Sequence, residues 1–77
     1  MSMWNNTPSR DEVAVLRAKY KPGMRVELIE MRDPQAPKPG TKGTILGVDD
    51  AGSVMCRWDN GSRLSLIYNE DRFQVIG

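Results

Sequence analysis

Arg57 and Arg63 are the residues in this chain best suited to binding chemistry, because two neighbouring guanidinium groups can hold one anion. They flank an Asp-Asn-Gly turn at residues 59–61, and Asn-Gly between apolar runs is a strong hairpin signal. A three-residue turn closed by Gly61 in the left-handed conformation would place the two arginines opposite each other. Because like charges opposite each other are destabilising, the pair is predicted to bind a phosphate or a carboxylate.

The register of this hairpin also decides which side chains are buried. The three-residue turn gives three cross-strand pairs: Trp58 with Ser62, Cys56 with Leu64, and Val54 with Leu66. One face is then apolar, and the other carries the candidate binding residues Met55, Arg57 and Arg63. A two-residue turn would instead pair Trp58 with Arg63 and mix charged and apolar side chains on both faces. Burial therefore favours the three-residue turn.

A second candidate group is a basic strip where a predicted helix meets the strands. Its members are Lys19, Lys21, Arg25 and Lys42. With Tyr20 and Tyr68 as aromatic partners, such a strip would suit a nucleic acid. A solvated surface is the alternative explanation. For the arginine pair, the alternatives are an acid of the same chain, such as Glu27 or Glu30, or exposure to water.

Composition excludes several functional classes. The 77 residues suffice for one domain, and eleven basic and ten acidic residues leave a net charge of +1, which gives no general attraction to nucleic acid or anionic membranes. The chain has no histidine and one cysteine, which excludes histidine catalysis, an internal disulfide and a realistic zinc site. We expect no enzyme activity, no cofactor, no metal, no small-molecule substrate, no membrane segment and a cytoplasmic location.

Residues 1–8 are predicted to be a flexible tail, in which Trp4 is either exposed or an anchor. Residues 9–21 are predicted to form a helix, because Ser9 and Glu12 have the spacing of a capping box and Pro22 with Gly23 provides a stop signal. Its apolar stripe consists of Val13, Leu16 and Tyr20. The stripe is expected to pack either on the same domain or on a partner.

Residues 22–77 are predicted to form the remaining domain from short strands. Strands are expected at 24–31, 41–48, on both sides of the hairpin turn, and at 72–76, where Phe73 and Val75 should point inward. Gly47 predicts a bulge, residues 33–40 a proline-rich loop, and residues 69–71 one tight helical turn. The fold class is therefore mainly β: a small five-stranded SH3-like barrel preceded by one N-terminal α-helix.

Such a barrel is expected to leave no room for a substrate pocket. Cys56 is expected to be a small buried hydrophobic residue, and Trp58 either a core residue or part of a peptide groove.

Five segments carry a distinctive order and spacing: PGMRVEL at 22–28, MRDP at 31–34, PGTKGT at 39–44, VDDAG at 48–52 and WDNGS at 58–62. In these segments the chain resembles a family of small domains of unknown function that are frequent in bacteriophages and bacterial mobile elements. The resemblance covers about residues 20 to 77 and leaves the helix outside. Its second half is also similar to SH3-like modules that bind proteins, while related barrels bind nucleic acid. The resemblance implies no catalytic residues.

Two functions follow as hypotheses. The first is a protein-interaction module, acting as a regulatory or accessory factor of a phage or mobile element on a host protein. The second is a nucleic-acid-binding module that uses the arginine pair and the basic strip. The sequence leaves the oligomeric state and the identity of the partner open.

Overall fold

The computed structural model describes residues 9–77 as one helix and five strands. These are α1 (Arg10–Lys19), β1 (Arg25–Glu30), β2 (Lys42–Val48), β3 (Ser53–Trp58), β4 (Leu66–Ile67) and β5 (Arg72–Val75). The strands form one antiparallel sheet in the order β4-β3-β2-β1-β5. The predicted mainly β class is confirmed. Over residues 9–77 no pairing joins β4 to β5, so the sheet is not closed into the predicted barrel.

The helix belongs to the core of its own domain. The predicted capping box is confirmed, because the Glu12 N–H donates to Ser9 Oγ at 3.2 Å and the Ser9 N–H donates to Glu12 Oε1 at 3.0 Å. The predicted stripe of Val13, Leu16 and Tyr20 is buried in the main hydrophobic cluster. The helix ends at Lys19 rather than at residue 21, and extended backbone follows at Tyr20, shortly before Pro22.

Arg17 fixes the helix to the far end of β2. Its Nε donates to the backbone carbonyl of Val48 at 3.0 Å, and its Nη2 pairs with Asp50 at 2.6 Å. The guanidinium therefore ties α1 to the turn between β2 and β3. This contact settles the docking of the helix on its own sheet, which the sequence left open.

The hairpin between β3 and β4 has the predicted three-residue turn. The Trp58 N–H donates to the Ser62 carbonyl and the Gly61 N–H to the Trp58 carbonyl, each at 2.9 Å, and Gly61 has φ +93°. Val54 pairs with Leu66 as predicted. The Cys56–Leu64 pair is absent from the ladder. Instead, the Leu64 carbonyl accepts the indole N–H of Trp58 at 2.8 Å.

A bulge and an exposed edge complete the sheet. The β2–β3 register shifts between Ile45 and Gly47, and Gly47 has φ +153°, which confirms the predicted bulge.

On β5, Phe73 is half-buried against the core as predicted. The prediction that Val75 points into the core is wrong on burial, since its side chain is 42% exposed. Val75 lies opposite Val26, but β5 is the outermost strand and nothing in residues 9–77 pairs with its other edge.

Candidate functional site

Arg57 of the predicted arginine pair lies in a cross-strand row on the side of the sheet away from the core. Arg25 on β1 lies opposite Thr44 on β2, and Thr44 lies opposite Arg57 on β3. Arg63 follows the Trp58–Ser62 pair of the hairpin turn in a segment outside the strands, and the β3–β4 ladder does not pair it with Arg57. Arg25, Thr44 and Arg57 thus share one row, because residues directly opposite each other on antiparallel strands face the same side of the sheet.

Arg25 has its own carboxylate partner in this row. Its two terminal nitrogens donate to the two carboxylate oxygens of Asp59 at 2.9 and 2.6 Å, and Nη1 also donates to Thr44 Oγ1 at 2.9 Å. The hydrogen bond to Arg25 lowers the pKa of the Asp59 carboxyl below its ordinary value of 3.8, and the charges of Arg25 and Lys42 act in the same direction. Because both terminal nitrogens of Arg25 donate to Asp59 of the hairpin turn, Arg25 is a poor binding group for another anion.

Arg57 and Arg63 have no such partner within residues 9–77. Both are exposed, and the ion pairs of this part of the chain involve Arg17 and Arg25 instead. Glu27, one of the acids considered as a partner, accepts from the Gln74 side-chain amide at 3.3 Å. Met55 is half-buried beside this pair on β3. We call Met55, Arg57 and Arg63 the arginine surface; it combines two free positive charges with one adaptable apolar side chain.

The predicted basic strip divides into two groups. Arg25 and Lys42 lie near the Asp59 carboxylate, which both charges stabilise. Lys19 instead places its ammonium 5.3 Å from the ring centre of Tyr20 and 5.6 Å from that of Tyr68. Lys21 is exposed, and its backbone N–H contacts Met24 Sδ at 3.1 Å. Among residues 9–77, no hydrogen bond or ion pair joins these two groups.

Three aromatic rings meet at the end of the helix. Tyr20 packs against Phe73 with ring centres 5.3 Å apart and against Tyr68 with ring centres 6.2 Å apart. Tyr20 is buried, whereas Tyr68 is exposed. The cluster therefore offers one accessible ring with the Lys19 ammonium beside it.

Trp58 and Cys56 are core residues. The Trp58 side chain is 1% exposed and satisfies its indole N–H within the chain, so it does not line a peptide groove. Burial raises the pKa of the Cys56 thiol to about 12, which keeps it protonated and unreactive at neutral pH. No cluster of three or more potential metal ligands occurs in residues 9–77.

Sequence reasoning missed a cleft at the open side of the sheet. It has a volume of about 550 Å³ and lies between the loop that leaves β1 and the segment that contains β4 and the following turn. The cleft is half open to solvent, so the expectation that the domain has no room for a substrate pocket stays a prediction. The lining residues are Met31, Arg32, Asp33, Leu64, Ser65, Ile67, Asn69, Glu70 and Asp71. No local pattern signals this cleft, since its walls are more than 30 residues apart along the chain.

The turn at one wall of the cleft is the predicted tight helical turn. The N–H groups of Glu70 and Asp71 both donate to the Ile67 carbonyl, at 3.0 and 2.8 Å, and Asp71 Oδ2 accepts from the Ile67 N–H at 2.7 Å. These bonds fix the position of the Glu70 and Asp71 side chains at the end of β4. In the part of the chain from Ser9 to Gly77, no helix is both long and apolar enough to cross a bilayer.

Comparison with known proteins finds one matching protein family. Residues 9–76 match the family described as Domain of unknown function (DUF4314). The match begins at the N-cap Ser9, so it includes α1, which the sequence resemblance placed outside the family. No curated protein and no solved structure matches the chain. The chain therefore belongs to the DUF4314 family of domains of unknown function.

Proposed function

We propose that this domain is a non-enzymatic protein-binding module and that its arginine surface binds an acidic segment of a partner protein. The observation that carries the proposal is the contrast between Arg25 and the two arginines that flank the hairpin turn. Arg25 is held in a fork by Asp59, whereas the exposed Arg57 and Arg63 have no carboxylate partner among residues 9–77. An incoming carboxylate would supply the partner that these guanidinium groups lack in the free domain.

The surroundings of the pair favour a protein over a nucleic acid. The net charge is +1, and the exposed aromatic ring of Tyr68 is associated with Lys19 rather than with the arginine pair. Beside the pair lies Met55, whose flexible thioether adapts to apolar side chains of a partner. A carboxylate accompanied by an apolar side chain matches this combination better than a phosphate backbone, which needs several cations in succession.

We further propose an SH3-like arrangement for the domain and an accessory or regulatory role for it in the cytoplasm of a bacterial or phage-infected cell. Five short strands, the proline-rich loop after β1, two tight turns and the short turn before β5 support the fold assignment. The resemblance to small domains of phages and mobile elements supports the role.

A binding experiment with matched charges tests the arginine surface. The probe is a short peptide that alternates glutamate with leucine, and its glutamine counterpart is the control ligand. We expect the double variant Arg57→Gln/Arg63→Gln to weaken binding about fivefold to thirtyfold, which corresponds to about 1–2 kcal/mol for two exposed charged contacts. The control variant Arg10→Gln/Lys38→Gln removes two exposed charges elsewhere and should bind like the unmodified domain. Equal losses in both double variants would show that only the net charge matters.

A nucleic-acid-binding module is the second candidate, and one contact favours it. The Lys19 ammonium lies 5.6 Å from the ring centre of the exposed Tyr68, an arrangement on which a base could stack beside a phosphate-binding cation. Titration with an oligothymidylate at several salt concentrations tests it. Nucleic-acid binding requires an affinity that falls steeply with salt and is lost in Tyr68→Ala, while Arg57→Gln/Arg63→Gln would have little effect.

A further inference from the structure

We infer that the outer edge of β5 is a self-association surface, at which the β5 strand of a second copy of this chain adds in antiparallel orientation. This surface is separate from the arginine surface, because Arg57 lies on β3, and β2 and β1 lie between β3 and β5. Two features of β5 support the inference: the direction of its backbone groups and the exposure of its apolar side chains.

The bonds of β1 determine which backbone groups of β5 face outward. The Leu28 N–H donates to the Thr41 carbonyl at 2.9 Å, and the Leu28 carbonyl accepts from the Gly40 N–H at 2.7 Å, so Leu28 is bonded away from β5. Arg25 faces β5, because its carbonyl accepts from the Ile76 N–H at 2.9 Å. Backbone groups alternate in direction along a strand, so these two bonding patterns fix the direction for the whole ladder.

Phe73 and Val75 therefore carry unpaired backbone groups at the outer edge. Their partners on β1 are Leu28 and Val26, which are bonded toward β2. The N–H and carbonyl groups of Phe73 and Val75 consequently point away from β1, whereas those of Gln74 point toward it. Within residues 9–77 no strand lies on this side of β5, and no hydrogen bond satisfies these outward groups.

The edge of β5 is poorly protected against strand addition. Residues 72–76 contain neither proline nor lysine, which are common protections of an edge, and their single charge is that of Arg72. Val75 shares the core face with the buried Val26 opposite it, yet its side chain is 42% exposed. An added strand would both pair the outward groups and cover this apolar surface.

The positions of the outward groups identify the added strand as a second β5. When two copies meet about a twofold axis at Gln74, Phe73 of each copy lies opposite Val75 of the other. Each of these two pairs exchanges both hydrogen bonds, so every outward group of Phe73 and Val75 is satisfied. A register centred on Phe73 would instead place Val75 opposite Asp71, whose N–H already donates to the Ile67 carbonyl at 2.8 Å.

The side chains agree with the register centred on Gln74. On the core face it places the half-buried ring of Phe73 beside Val75, and aromatic and β-branched side chains pair favourably across strands. A register centred on Val75 would place Phe73 opposite Gly77, which has no side chain. On the other face, Arg72 lies opposite Ile76, and the two Arg72 residues are about 14 Å apart along the strands, farther than the Debye length. No like charges therefore oppose each other.

Disulfide cross-linking of the full 77-residue chain tests the register. In oxidised glutathione we expect Gln74→Cys to form a covalent dimer, because the two Cα atoms of this pair would lie about 4.5 Å apart, within disulfide range. Arg72→Cys alone should cross-link about tenfold more slowly, since its copies lie about 14 Å apart. A mixture of Arg72→Cys and Ile76→Cys should form the mixed dimer. Cys56 is buried and should not contribute.

A matched pair of lysine variants tests the edge without a cross-link. Sedimentation equilibrium of the unmodified chain should show the mass rising from one chain toward two between roughly 10 µM and 1 mM, as a small interface allows. Val75→Lys should raise the dissociation constant about tenfold or more, because it places two ammonium groups about 7 Å apart along one face. Val15→Lys, at an exposed position of the helix, should leave the constant unchanged.

Three results would overturn the inference. The first is a mass of one chain at every concentration of the unmodified protein. The second is an equal effect of Val75→Lys and Val15→Lys on association, which would place the contact elsewhere or make it a matter of net charge. The third is cross-linking of Gln74→Cys no faster than that of Arg72→Cys, which would exclude the proposed register.

Discussion

Gly43→Ala is predicted to destabilise the domain through a steric clash with a single ring. Gly43 does not have a positive φ, so its backbone does not require glycine. A Cβ atom at this position would lie 2.7 Å from Cε3 of Trp58 and 3.1 Å from both Cδ2 of that ring and the Arg57 carbonyl oxygen. The 2.7 Å distance is shorter than real Cβ contacts and the 3.1 Å distances are tighter than most of them, so either the ring or the strand must move.

The Trp58 ring has little freedom to move. It is 1% exposed, and its N–H is bonded to the Leu64 carbonyl at 2.8 Å. Overpacking in a core costs about 1–3 kcal/mol, and the loss of glycine flexibility returns about 0.5–1 kcal/mol. We therefore expect Gly43→Ala to lower the free energy of unfolding by about 1–2 kcal/mol, which for a domain of this size lowers Tm by about 4–16 °C.

Urea unfolding followed by far-ultraviolet circular dichroism measures this change without a contribution from Trp4 fluorescence. Gly77→Ala is the control, because nothing lies within 4 Å of its added Cβ and its φ is not positive. In a Trp58→Phe background, where the second ring of the indole is gone, Gly43→Ala should cost at least about 0.5 kcal/mol less. The reasoning is refuted if Gly43→Ala is as stable as the unmodified domain, or if its cost is the same in both backgrounds.

Three further experiments test the helix, the turn and the buried thiol. Leu16→Ala should cost about 2–5 kcal/mol in urea unfolding because Leu16 is buried in the shared core, whereas Val15→Ala, at a 65% exposed position, should change stability by less than about 0.5 kcal/mol. Asp59→Asn should make the free energy of unfolding fall less steeply as the pH is lowered. The pKa of Asp59 is below 3.8 when folded, so its stabilising contribution is present at neutral pH and disappears as pH falls through that folded value, which a urea series from about pH 6 to 2 can follow. Cys56 should resist iodoacetamide at pH 8 until urea unfolds the chain, as mass spectrometry can show; labelling of the folded domain would contradict its burial.

Local sequence signals predicted the local structure well. The Asn-Gly turn fixed the hairpin register because only one turn length separates apolar from charged faces. The Ser9–Glu12 spacing located the start of the helix, since the two residues satisfy each other's backbone groups. Gly47 located the bulge because it interrupts the strand pattern. In each case the information lies within a few neighbouring residues.

Contacts between distant segments were not predictable in the same way. The bond from Arg17 to the Val48 carbonyl spans 31 residues, and the fork between Arg25 and Asp59 spans 34. The sequence predicts Arg25 as part of a basic strip and gives no signal for either long-range contact. The exposure of Val75 follows from the strand order, which alternation within one strand does not reveal.

The arginine surface and the cleft differ in what the sequence reveals of them. At Arg63 the signal is a charged side chain, so the charge pattern across the turn was sufficient to predict a candidate site. The cleft has no such signal, because the residues that line it come from two segments more than 30 positions apart. Charged side chains beside a turn can therefore be identified from the sequence, whereas a cleft between distant segments follows only from the fold.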